Sequence, residues 1–384
     1  MTKVAVWGPG SMGVIALRCV IDHPDLELVG LVVNNPDKAG MDAGTLCGID
    51  PVGVMATTDP DDILFGGADV VVYAATGNLR PLEAVEDMAR ALRAGKNVVS
   101  CSVIQLVARG EATAMFTDPI EQACWEGGTS CFTSGIAPGY AFDVLPLTLS
   151  GLSRTIDSIR LTEMFNYGTY PDPNAVYNLL GFGLPPEADA FAATPGVLTY
   201  GWGPIITALA DALGITIDRM EESVQRLPTE HGFDAPNGRV EAGTIAAMRS
   251  VLTGYSDGEP KVTVDYVTRM HDGIAPDWPQ PVIGISPKDH GTPGVSGQGT
   301  YRIEIEGSPS IRCELEMADG SDHDLGARMA GSAFVVNAIP AVVAAKPGLL
   351  VAADLPLVTG AGLVKPDYGV APDSRLIGLN AHRS

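Results

Sequence analysis

Positive charge is scarce in this sequence. The 384 residues hold 24 Lys and Arg against 46 Asp and Glu, which gives a formal net charge of −22. Nucleic acids and anionic membrane surfaces repel a chain of this charge. The composition therefore argues against nucleic-acid and membrane partners and leaves a small molecule as the expected partner.

Cysteine pairs of the kind that hold zinc are missing as well. The six cysteines form no C-x-x-C pair and do not cluster with the six histidines. This distribution predicts reduced thiols and no metal site. Cys101 invites interpretation as a nucleophile, but no histidine lies near it in the sequence, which favours a small core cysteine.

The sequence also lacks a long uninterrupted hydrophobic run. The longest apolar stretch, near 332–345, is interrupted by Asn337 and Pro340 and ended by Lys346. Such a stretch is too short and too broken to span a bilayer. A predicted strand begins within three residues of the N-terminus, so no signal peptide is expected. These features together predict a cytoplasmic protein.

Glycine, in contrast, is placed in a regular pattern near the N-terminus. The segment "VAVWGPGSMGVIALRCV" (4–20) contains G-x-G-x-x-G between an apolar strand pattern and a helical one, and a second strand pattern follows at 26–33. Strand, loop, helix and strand form one βαβ unit, whose helix N-terminus binds a pyrophosphate. We predict a dinucleotide site at this loop, formed by Gly8, Gly10, Ser11, Met12 and Gly13.

The alternation of strand and helix patterns continues to about residue 150. Strands are predicted at 68–76, 97–103 and 129–139, and helices at 79–95 and 118–128. This order predicts an α/β domain over 1–150, a Rossmann-type doubly wound parallel sheet with ligand at its carboxyl edge.

Longer, alternating strands follow from residue 156, and Asp257-Gly258 marks a hairpin between two of them. They predict an α+β substrate and dimerisation domain over 151–325, built on a mixed or antiparallel sheet. The segment 171–200 is rich in Pro and Gly and is expected to form a long excursion. A helix at about 326–345 is predicted to return to the first domain, and 346–384 forms a C-terminal segment.

The end of the second strand indicates which cofactor is bound. NAD-selective sites usually carry Asp or Glu there, whereas this chain has Asn34 and Asn35, with Lys38 close by and Asp37 displaced from the expected position. The pattern favours NADP, with NAD possible; the alternative is that Lys38 is a solvated surface charge. Further cofactor contacts are expected at the carboxyl ends of the later strands, from Ala75, Thr76, Ser102 and Pro138.

Glu163 is the best catalytic candidate in the second domain. It lies on the first strand after the domain change, in "RLTEMFNYGTY", and Tyr167 is the predicted partner in proton transfer. If the alternation of side chains along the strand places Glu163 on the buried face of the sheet, burial among tyrosines raises its pKa. Otherwise Glu163 faces solvent. Tyr170, Tyr177 and Gln105 are the predicted substrate-pocket residues.

Several segments carry a family resemblance over residues 4–364, among them "DAGTLCG" (42–48), "SGIAPGYAFDVLPL" (134–147), "APDWPQP" (275–281) and "NAIPAVVAAKPGLLVAADLPLVTG" (337–360). The chain resembles dihydrodipicolinate reductase-like proteins of actinobacterial type, which are similar to native amine dehydrogenases and 2,4-diaminopentanoate dehydrogenase. The resemblance implies a Rossmann domain, a substrate domain on a curved sheet, NAD(P)H and commonly a homodimer.

Two positions differ from the family patterns. Dihydrodipicolinate reductase proper carries a His-His and Lys motif where this chain has "TEMFNYGTYPDPNAV" (162–176), so lysine biosynthesis is not expected. Amine dehydrogenases of the group place a catalytic Glu just after the strand at 97–103, where this chain has Gln105. The resemblance therefore leaves Glu163 to supply the carboxylate.

Three functions are consistent with these observations. The first is an NAD(P)H-dependent oxidoreductase that interconverts a small ketone or aldehyde plus ammonia with an amine. The second is an ammonia-independent ketone, enone or imine reductase in which a tyrosine protonates the product. The third is a dinucleotide-binding protein without catalytic activity.

Overall fold

The computed structural model describes residues 1–77 and 80–364 and divides into two compact units. Of the described residues, unit 1 comprises those of 1–140 together with 328–364, and unit 2 comprises Ala141–Ala327. The predicted domain boundaries at 150 and 325 are therefore corrected to 140 and 327, and the larger change is at the first boundary. Residues 141–150 belong to unit 2 because Phe142 packs edge-on against Tyr301 and at a tilt against Trp202.

The helices of the described chain are α1 (Ser11–Asp22), α2 (Ala43–Leu46), α3 (Asp61–Leu64), α4 (Pro81–Arg93), α5 (Ala114–Gly127), α6 (Val144–Ser150), α7 (Val197–Leu213), α8 (His323–Asn337) and α9 (Ile339–Ala344). The strands are β1 (Thr2–Trp7), β2 (Leu26–Val32), β3 (Ala56–Thr57), β4 (Val70–Tyr73), β5 (Asn97–Ser100), β6 (Ser130–Thr133), β7 (Thr155–Asn166), β8 (Arg219–Pro228), β9 (Phe233–Ala235), β10 (Gly238–Val240), β11 (Ile245–Ser256), β12 (Glu259–Arg269), β13 (Gly299–Ser308), β14 (Ile311–Glu316) and β15 (Gly348–Leu350).

Unit 1 is built on a seven-stranded parallel sheet in the order β15-β6-β5-β4-β1-β2-β3. Its central strands are continuous apolar runs because both faces of the sheet are covered, and Val4, Val6, Val70 and Val72 are fully buried. The predicted doubly wound α/β fold is confirmed. The C-terminal segment is not separate: β15 pairs with β6 and forms one edge of this sheet.

Unit 2 is built on a six-stranded mixed sheet in the order β14-β13-β7-β12-β11-β8. The β7 and β12 strands run parallel, and the other neighbouring strands are antiparallel. The predicted hairpin turn joins β11 to β12, with Asp257 and Gly258 both at positive φ (52° and 83°), as a type I′ turn requires. Strands β9 and β10 form a separate two-stranded ribbon.

One helix prediction is corrected, and one helix was not predicted. The fifth helix begins at Ala114 rather than at 118, so Pro119 lies inside it instead of at its start. The helix α7 is not predicted by the sequence pattern, which contains Gly201, Gly203 and Pro204. It forms because its apolar residues pack on the sheet of unit 2, where a Cβ on Gly254 would lie 2.7 Å from Ile206.

The helical segment His323–Ala344 is long and apolar enough to cross a membrane by length and composition, a test that core helices of soluble proteins also pass. The two helices α8 and α9 are separated at Ala338, and Pro340 lies in the first turn of α9. Val335, Val336, Ile339 and Val342 are buried in the hydrophobic core of unit 1. Residues 328–364 belong to unit 1, and α8 and α9 together correspond to the helix that the sequence predicts at 326–345.

Candidate functional site

The glycine loop of unit 1 brings three backbone segments closer together than side chains permit. Gly8 adopts a left-handed conformation with φ 93°, and a Cβ at this position would lie 2.6 Å from the Ala75 backbone. A Cβ at Gly13 would lie 2.0 Å from the Gly8 carbonyl oxygen. Gly8 and Gly13 are therefore required by the fold itself.

Gly10 is different, because no described atom lies within 4 Å of the position that its Cβ would occupy. The structure of the chain alone does not require a glycine here. Gly10 is also the N-cap of α1, where no side chain caps the helix and no acidic residue lies in the first turn. Open space beside uncapped N–H groups fits the pyrophosphate of a dinucleotide.

The predicted loop residues beside Gly10 are accessible. Ser11 is exposed and Met12 is half-buried at the start of α1. Their backbone N–H groups belong to the first turn of the helix, which is where an anion is expected to bind. The described residues contain no group of three or more His, Cys, Asp and Glu side chains that could hold a metal ion.

Lys38 lies against the glycine loop. Its Nζ donates a hydrogen bond to the Pro9 carbonyl oxygen at 3.2 Å, and the side chain is half-buried. Asn34 is exposed, whereas Asn35 caps a short 3₁₀ turn by accepting a hydrogen bond from the backbone N–H of Asp37. The structure thus places an ammonium group beside the loop, at the end of β2.

Of the predicted contacts at the carboxyl edge of the parallel sheet, Ala75 and Ser102 are buried, whereas Thr76 and Pro138 are accessible. Ala75 packs against Gly8, and its carbonyl oxygen accepts a hydrogen bond from the buried Ser102 hydroxyl. Thr76 is exposed and Pro138 is half-buried. Gln105 is buried in a 3₁₀ turn after β5. These positions lie in the part of unit 1 where open α/β sheets bind ligands.

In unit 2, the sheet places Glu163 between two tyrosines. Glu163 lies on β7 opposite Tyr266 of β12 and opposite Tyr301 of β13. Its side chain is 5 % exposed, so the alternative of a solvent-facing glutamate is wrong. Burial raises the pKa of Glu163 to about 8, while the hydrogen bond from Tyr167 acts in the opposite direction.

The two oxygens of the Glu163 carboxyl group have different surroundings. Oε1 accepts a long hydrogen bond, 3.4 Å, from the Tyr167 hydroxyl. Oε2 is buried and has no hydrogen-bond partner among the residues that the structure describes. An unpaired buried polar atom is costly, and it marks a position where a hydrogen bond to a substrate group would be stabilising.

Tyr167 links Glu163 to a second phenol. The Tyr266 hydroxyl donates to the Tyr167 hydroxyl at 2.5 Å, and Tyr170 stacks on the Tyr167 ring with centroids 4.7 Å apart. Burial raises the pKa of Tyr167 and of Tyr266 well above the usual phenol value. Both phenols therefore stay protonated near neutral pH, and the three groups form one hydrogen-bonded chain.

Tyr170 and Tyr177 both pack against the hydrophobic cluster next to Glu163, which includes Val176, Phe182 and Met248. The Tyr177 hydroxyl donates to Asn237 Oδ1 at 3.3 Å. The Asn237 amide in turn donates to the Tyr167 carbonyl oxygen at 2.8 Å. The structure thus places three of the predicted residues of unit 2, Tyr167, Tyr170 and Tyr177, around one apolar cluster.

Sequence reasoning missed Tyr266, Tyr301, Trp202 and Asn237. Tyr266 and Tyr301 lie on strands distant in sequence, and only the pairing register places them beside Glu163. Trp202 of α7 packs against the Tyr266 ring, with centroids 5.3 Å apart. The alternation of residues along the strands could have indicated the two tyrosines. Both follow a polar residue on strands that the sequence pattern had identified, which places them on the opposite face from that residue.

A second buried carboxyl group lies in unit 2. Asp143 is 2 % exposed and accepts a hydrogen bond from the Val144 backbone N–H. Burial raises its pKa to about 7. In unit 1, burial raises the pKa of Cys101 to about 11, so this cysteine is a thiol at neutral pH, as expected for a core residue.

Comparisons with known proteins identify the family of the chain. The 2,4-diaminopentanoate dehydrogenase C-terminal domain family matches residues 140–364, and the dihydrodipicolinate reductase N-terminus family matches residues 2–102. An amine dehydrogenase of Streptomyces virginiae is 40% identical over 93% of this chain and 97% of its own length. A 2,4-diaminopentanoate dehydrogenase of Acetoanaerobium sticklandii is 25% identical over 92% of this chain and 93% of its own.

Among solved structures, the amine dehydrogenase from Mycobacterium smegmatis superposes with a TM-score of 0.72 at 19% identity, and the match covers 93% of this chain and 97% of that one. At this identity the superposition shows the shared fold. The match in sequence shows more, since it extends over nearly the whole length of both proteins. The chain therefore belongs to the family of amine dehydrogenases and 2,4-diaminopentanoate dehydrogenases, and it is an oxidoreductase dependent on NAD(P).

Proposed function

We propose that this protein interconverts a small ketone or aldehyde plus ammonia with the corresponding amine, and that it prefers NADP to NAD. One observation carries the proposal: a buried glutamate, Glu163, has a pKa of about 8 and one carboxyl oxygen without a partner among the described residues. The relatives of this protein include an amine dehydrogenase that aligns over nearly the full chain.

The reaction requires proton transfers as well as a hydride transfer. Carbonyl, ammonia, reduced cofactor and one proton give amine, water and oxidised cofactor. The dinucleotide supplies the hydride in this direction and accepts it in reverse. The protein must protonate the hydroxyl group that leaves the carbinolamine as water, and it must hold the nitrogen that becomes an iminium.

Glu163 is suited to both tasks. With a pKa of about 8, the carboxyl group is partly protonated and partly ionised in mildly alkaline solution. A general acid or base works best when its pKa is near the working pH. The protonated form gives its proton to the leaving hydroxyl, and the carboxylate formed then attracts the positive iminium. Oε2 is the oxygen available for these contacts.

The apolar surroundings favour a small substrate with little polarity. Tyr170 and Tyr177 pack in the same hydrophobic cluster as Val176, Phe182 and Met248. Apolar surroundings of this kind would exclude water from the carbinolamine and strengthen the attraction between carboxylate and iminium. Gln105 of unit 1 stays a predicted pocket residue.

Lys38 and Asn34 support the preference for NADP. The residues from Val33 to Pro36 at the end of β2 are uncharged, and the nearest carboxylate in the sequence, Asp37, lies beyond them in the turn that Asn35 caps. The Lys38 ammonium already lies on the glycine loop. A phosphate would attract it more strongly than the Pro9 carbonyl oxygen does, because the pair is charged on both sides.

The second candidate is an ammonia-independent carbonyl or imine reductase. The hydrogen-bonded chain from Tyr266 through Tyr167 to Glu163 favours it, because such a chain also delivers a proton to an alkoxide. Glu163 then acts only as an acid. The two functions differ in one property, the requirement for ammonium.

The test is oxidation of NADPH, followed by absorbance, with a panel of small ketones and aldehydes in the presence and absence of ammonium. Turnover that needs ammonium, with amine found as product by mass spectrometry, supports amination. Turnover at the same rate with and without ammonium, with alcohol as the product, establishes the second candidate instead. The exposed Glu221→Gln variant on β8 is the matched control for Glu163→Gln, because it removes a carboxylate from the same sheet without affecting a buried group.

A further inference from the structure

The buried side of the unit 2 sheet holds a chain of hydroxyl groups that ends on one oxygen of Glu163. Tyr266 donates to Tyr167 at 2.5 Å, and Tyr167 donates to Oε1 of Glu163 at 3.4 Å. Each phenol has a single proton. Because Tyr266 uses its proton on the Tyr167 oxygen, the Tyr167 proton is directed to Glu163.

We infer that Tyr266 is a positioning residue: it acts through Tyr167 to hold that phenol's proton on Oε1 of Glu163, and it thereby leaves Oε2 as the oxygen that meets the substrate. The inference rests on the proposed function for the role of Oε2. The directing effect of Tyr266 on Tyr167 is a property of unit 2 alone and is testable without turnover.

Packing keeps Tyr266 where this role requires it. Its ring lies edge-on to Tyr167, with centroids 6.2 Å apart, and tilted against Trp202 of α7 at 5.3 Å. The side chain is 9 % exposed. Backbone pairing between β12 and β7 sets Tyr266 directly opposite Glu163. The hydroxyl therefore has little freedom to move to another acceptor.

The hydrogen-bond chain also influences how Glu163 titrates. A hydrogen bond donated to a carboxylate favours the ionised form and lowers its pKa. A phenol that accepts a hydrogen bond from another phenol is a stronger donor, since hydrogen bonds in a chain polarise one another. Tyr266 thus helps to keep the pKa of Glu163 from rising further in a site where burial already raises it to about 8.

The other titratable groups around Glu163 are also phenols. Tyr301 approaches from β13, on the opposite side from Tyr266, and Tyr170 stacks on Tyr167. Burial keeps the pKa of Tyr301 well above the usual phenol value, with Asp324 of α8 acting in the same direction. Tyr167, Tyr266 and Tyr301 stay protonated near neutral pH, so once the Asp143 carboxyl group is accounted for, a titration with a midpoint near 8 reports Glu163.

The experiment is a pH titration of the purified full-length protein by infrared difference spectroscopy, which detects the carbonyl stretch of protonated carboxyl groups. Glu163→Gln identifies the Glu163 band, and Asp143→Asn identifies the other buried carboxyl group. Tyr167→Phe and Tyr266→Phe remove one hydroxyl each and keep the ring packing. Tyr177→Phe is the matched control, because its hydroxyl binds Asn237 and not this chain.

We expect Tyr167→Phe to raise the Glu163 midpoint by about one pH unit, the effect of one hydrogen bond to a charged acceptor. Tyr266→Phe is expected to raise it in the same direction by roughly half as much. Tyr177→Phe leaves it unchanged. In turnover, Tyr266→Phe is expected to lower kcat about three- to tenfold, with the pH profile displaced upward and the KM for the carbonyl within about twofold.

An unchanged midpoint in Tyr266→Phe overturns the inference, whether or not Tyr167→Phe moves it. If Tyr266→Phe does not fold, the midpoint of Tyr167→Phe decides, since a Tyr167 that does not donate to Glu163 leaves Tyr266 nothing to direct. Displaced midpoints together with full amination activity in Glu163→Gln support the hydrogen-bond chain and instead refute Glu163 as the catalytic group.

Discussion

Glu163 and Tyr266 lie directly opposite each other on adjacent parallel strands, and both side chains are buried on the face where Trp202 of α7 packs. This relationship joins a group that gains or loses a proton near pH 8 to a hydroxyl group on a strand far away in the sequence. The sheet register, rather than the local sequence, therefore assembles the candidate acid–base centre.

Glu163→Gln is expected to lower turnover by roughly 10²–10⁴-fold, the usual contribution of a positioned acid or base. Glutamine keeps the volume and the hydrogen bond from Tyr167 but cannot exchange a proton. The dissociation constant of NADPH, measured by fluorescence titration, is expected to stay within about twofold, because the glycine loop belongs to unit 1. Wild-type turnover in Glu163→Gln with normal NADPH affinity would exclude this glutamate from catalysis.

Stability is expected to fall as the pH rises from about 4.5 to about 8. In the unfolded chain Glu163 ionises near its ordinary value of 4.5, whereas the folded protein holds the proton up to about pH 8. The unfolded state thus binds fewer protons in this window, and the free energy of unfolding decreases by roughly 5 kcal/mol in total. Urea unfolding at several pH values measures the slope.

Glu163→Gln is the control for this slope. The variant cannot ionise at position 163, so its stability should fall less steeply over the same window. Asp143→Asn should flatten the lower part of the window, because the pKa of Asp143 is raised to about 7. Parallel curves for wild type and both variants would show that neither carboxyl group titrates as described.

Gly10→Ala separates ligand binding from folding in the glycine loop. No described atom lies within 4 Å of the added Cβ, so the melting temperature should not change. The methyl group occupies the space that a pyrophosphate needs, and NADPH affinity is expected to fall about 10- to 100-fold. Gly13→Ala is the contrast: its Cβ would lie 2.0 Å from the Gly8 carbonyl oxygen, so it should lower the melting temperature. Normal NADPH binding by Gly10→Ala would place the pyrophosphate elsewhere.

Lys38→Ala is expected to weaken NADPH by about tenfold and NADH by less than twofold, because only NADPH has a 2′-phosphate to pair with the ammonium. Isothermal titration with both cofactors measures the two ratios. Lys3→Ala removes an exposed lysine from the same unit and serves as the control. A tenfold advantage of NADH over NADPH in the wild-type protein would reverse the proposed preference.

We expect the protein to form a homodimer through unit 2. On β11, Ser250, Leu252 and Gly254 are buried, whereas the alternate residues Val251 and Thr253 are only half-buried. A sheet face of this kind gains stability when a second copy covers it. Light scattering should return twice the 40.0 kDa of one chain. Val251→Glu should shift the population toward monomer, and a wild-type mass of 40.0 kDa would exclude the dimer.

The sequence alone was sufficient to identify the doubly wound sheet, the glycine loop and the hairpin at Asp257-Gly258. These features depend on local physics: apolar runs long enough for strands buried on both faces, glycine where φ is positive, and a helix start that follows a strand. Glu163 could also be singled out, because it is a carboxyl group on a strand near several tyrosines. Its orientation could not, since a strand of alternating character has two faces and a single residue of slip exchanges them.

Tertiary structure decided the rest. The helix α7 contains Gly201, Gly203 and Pro204, which locally oppose a helix, and it forms because its apolar side packs on the sheet of unit 2. Tyr266 and Tyr301 reach Glu163 only through strand pairing between segments far apart in the chain. The pKa of Glu163 follows from the burial that this packing creates. Long-range contacts of this kind have no local signature, so only the folded chain determines which oxygen of Glu163 is left without a partner.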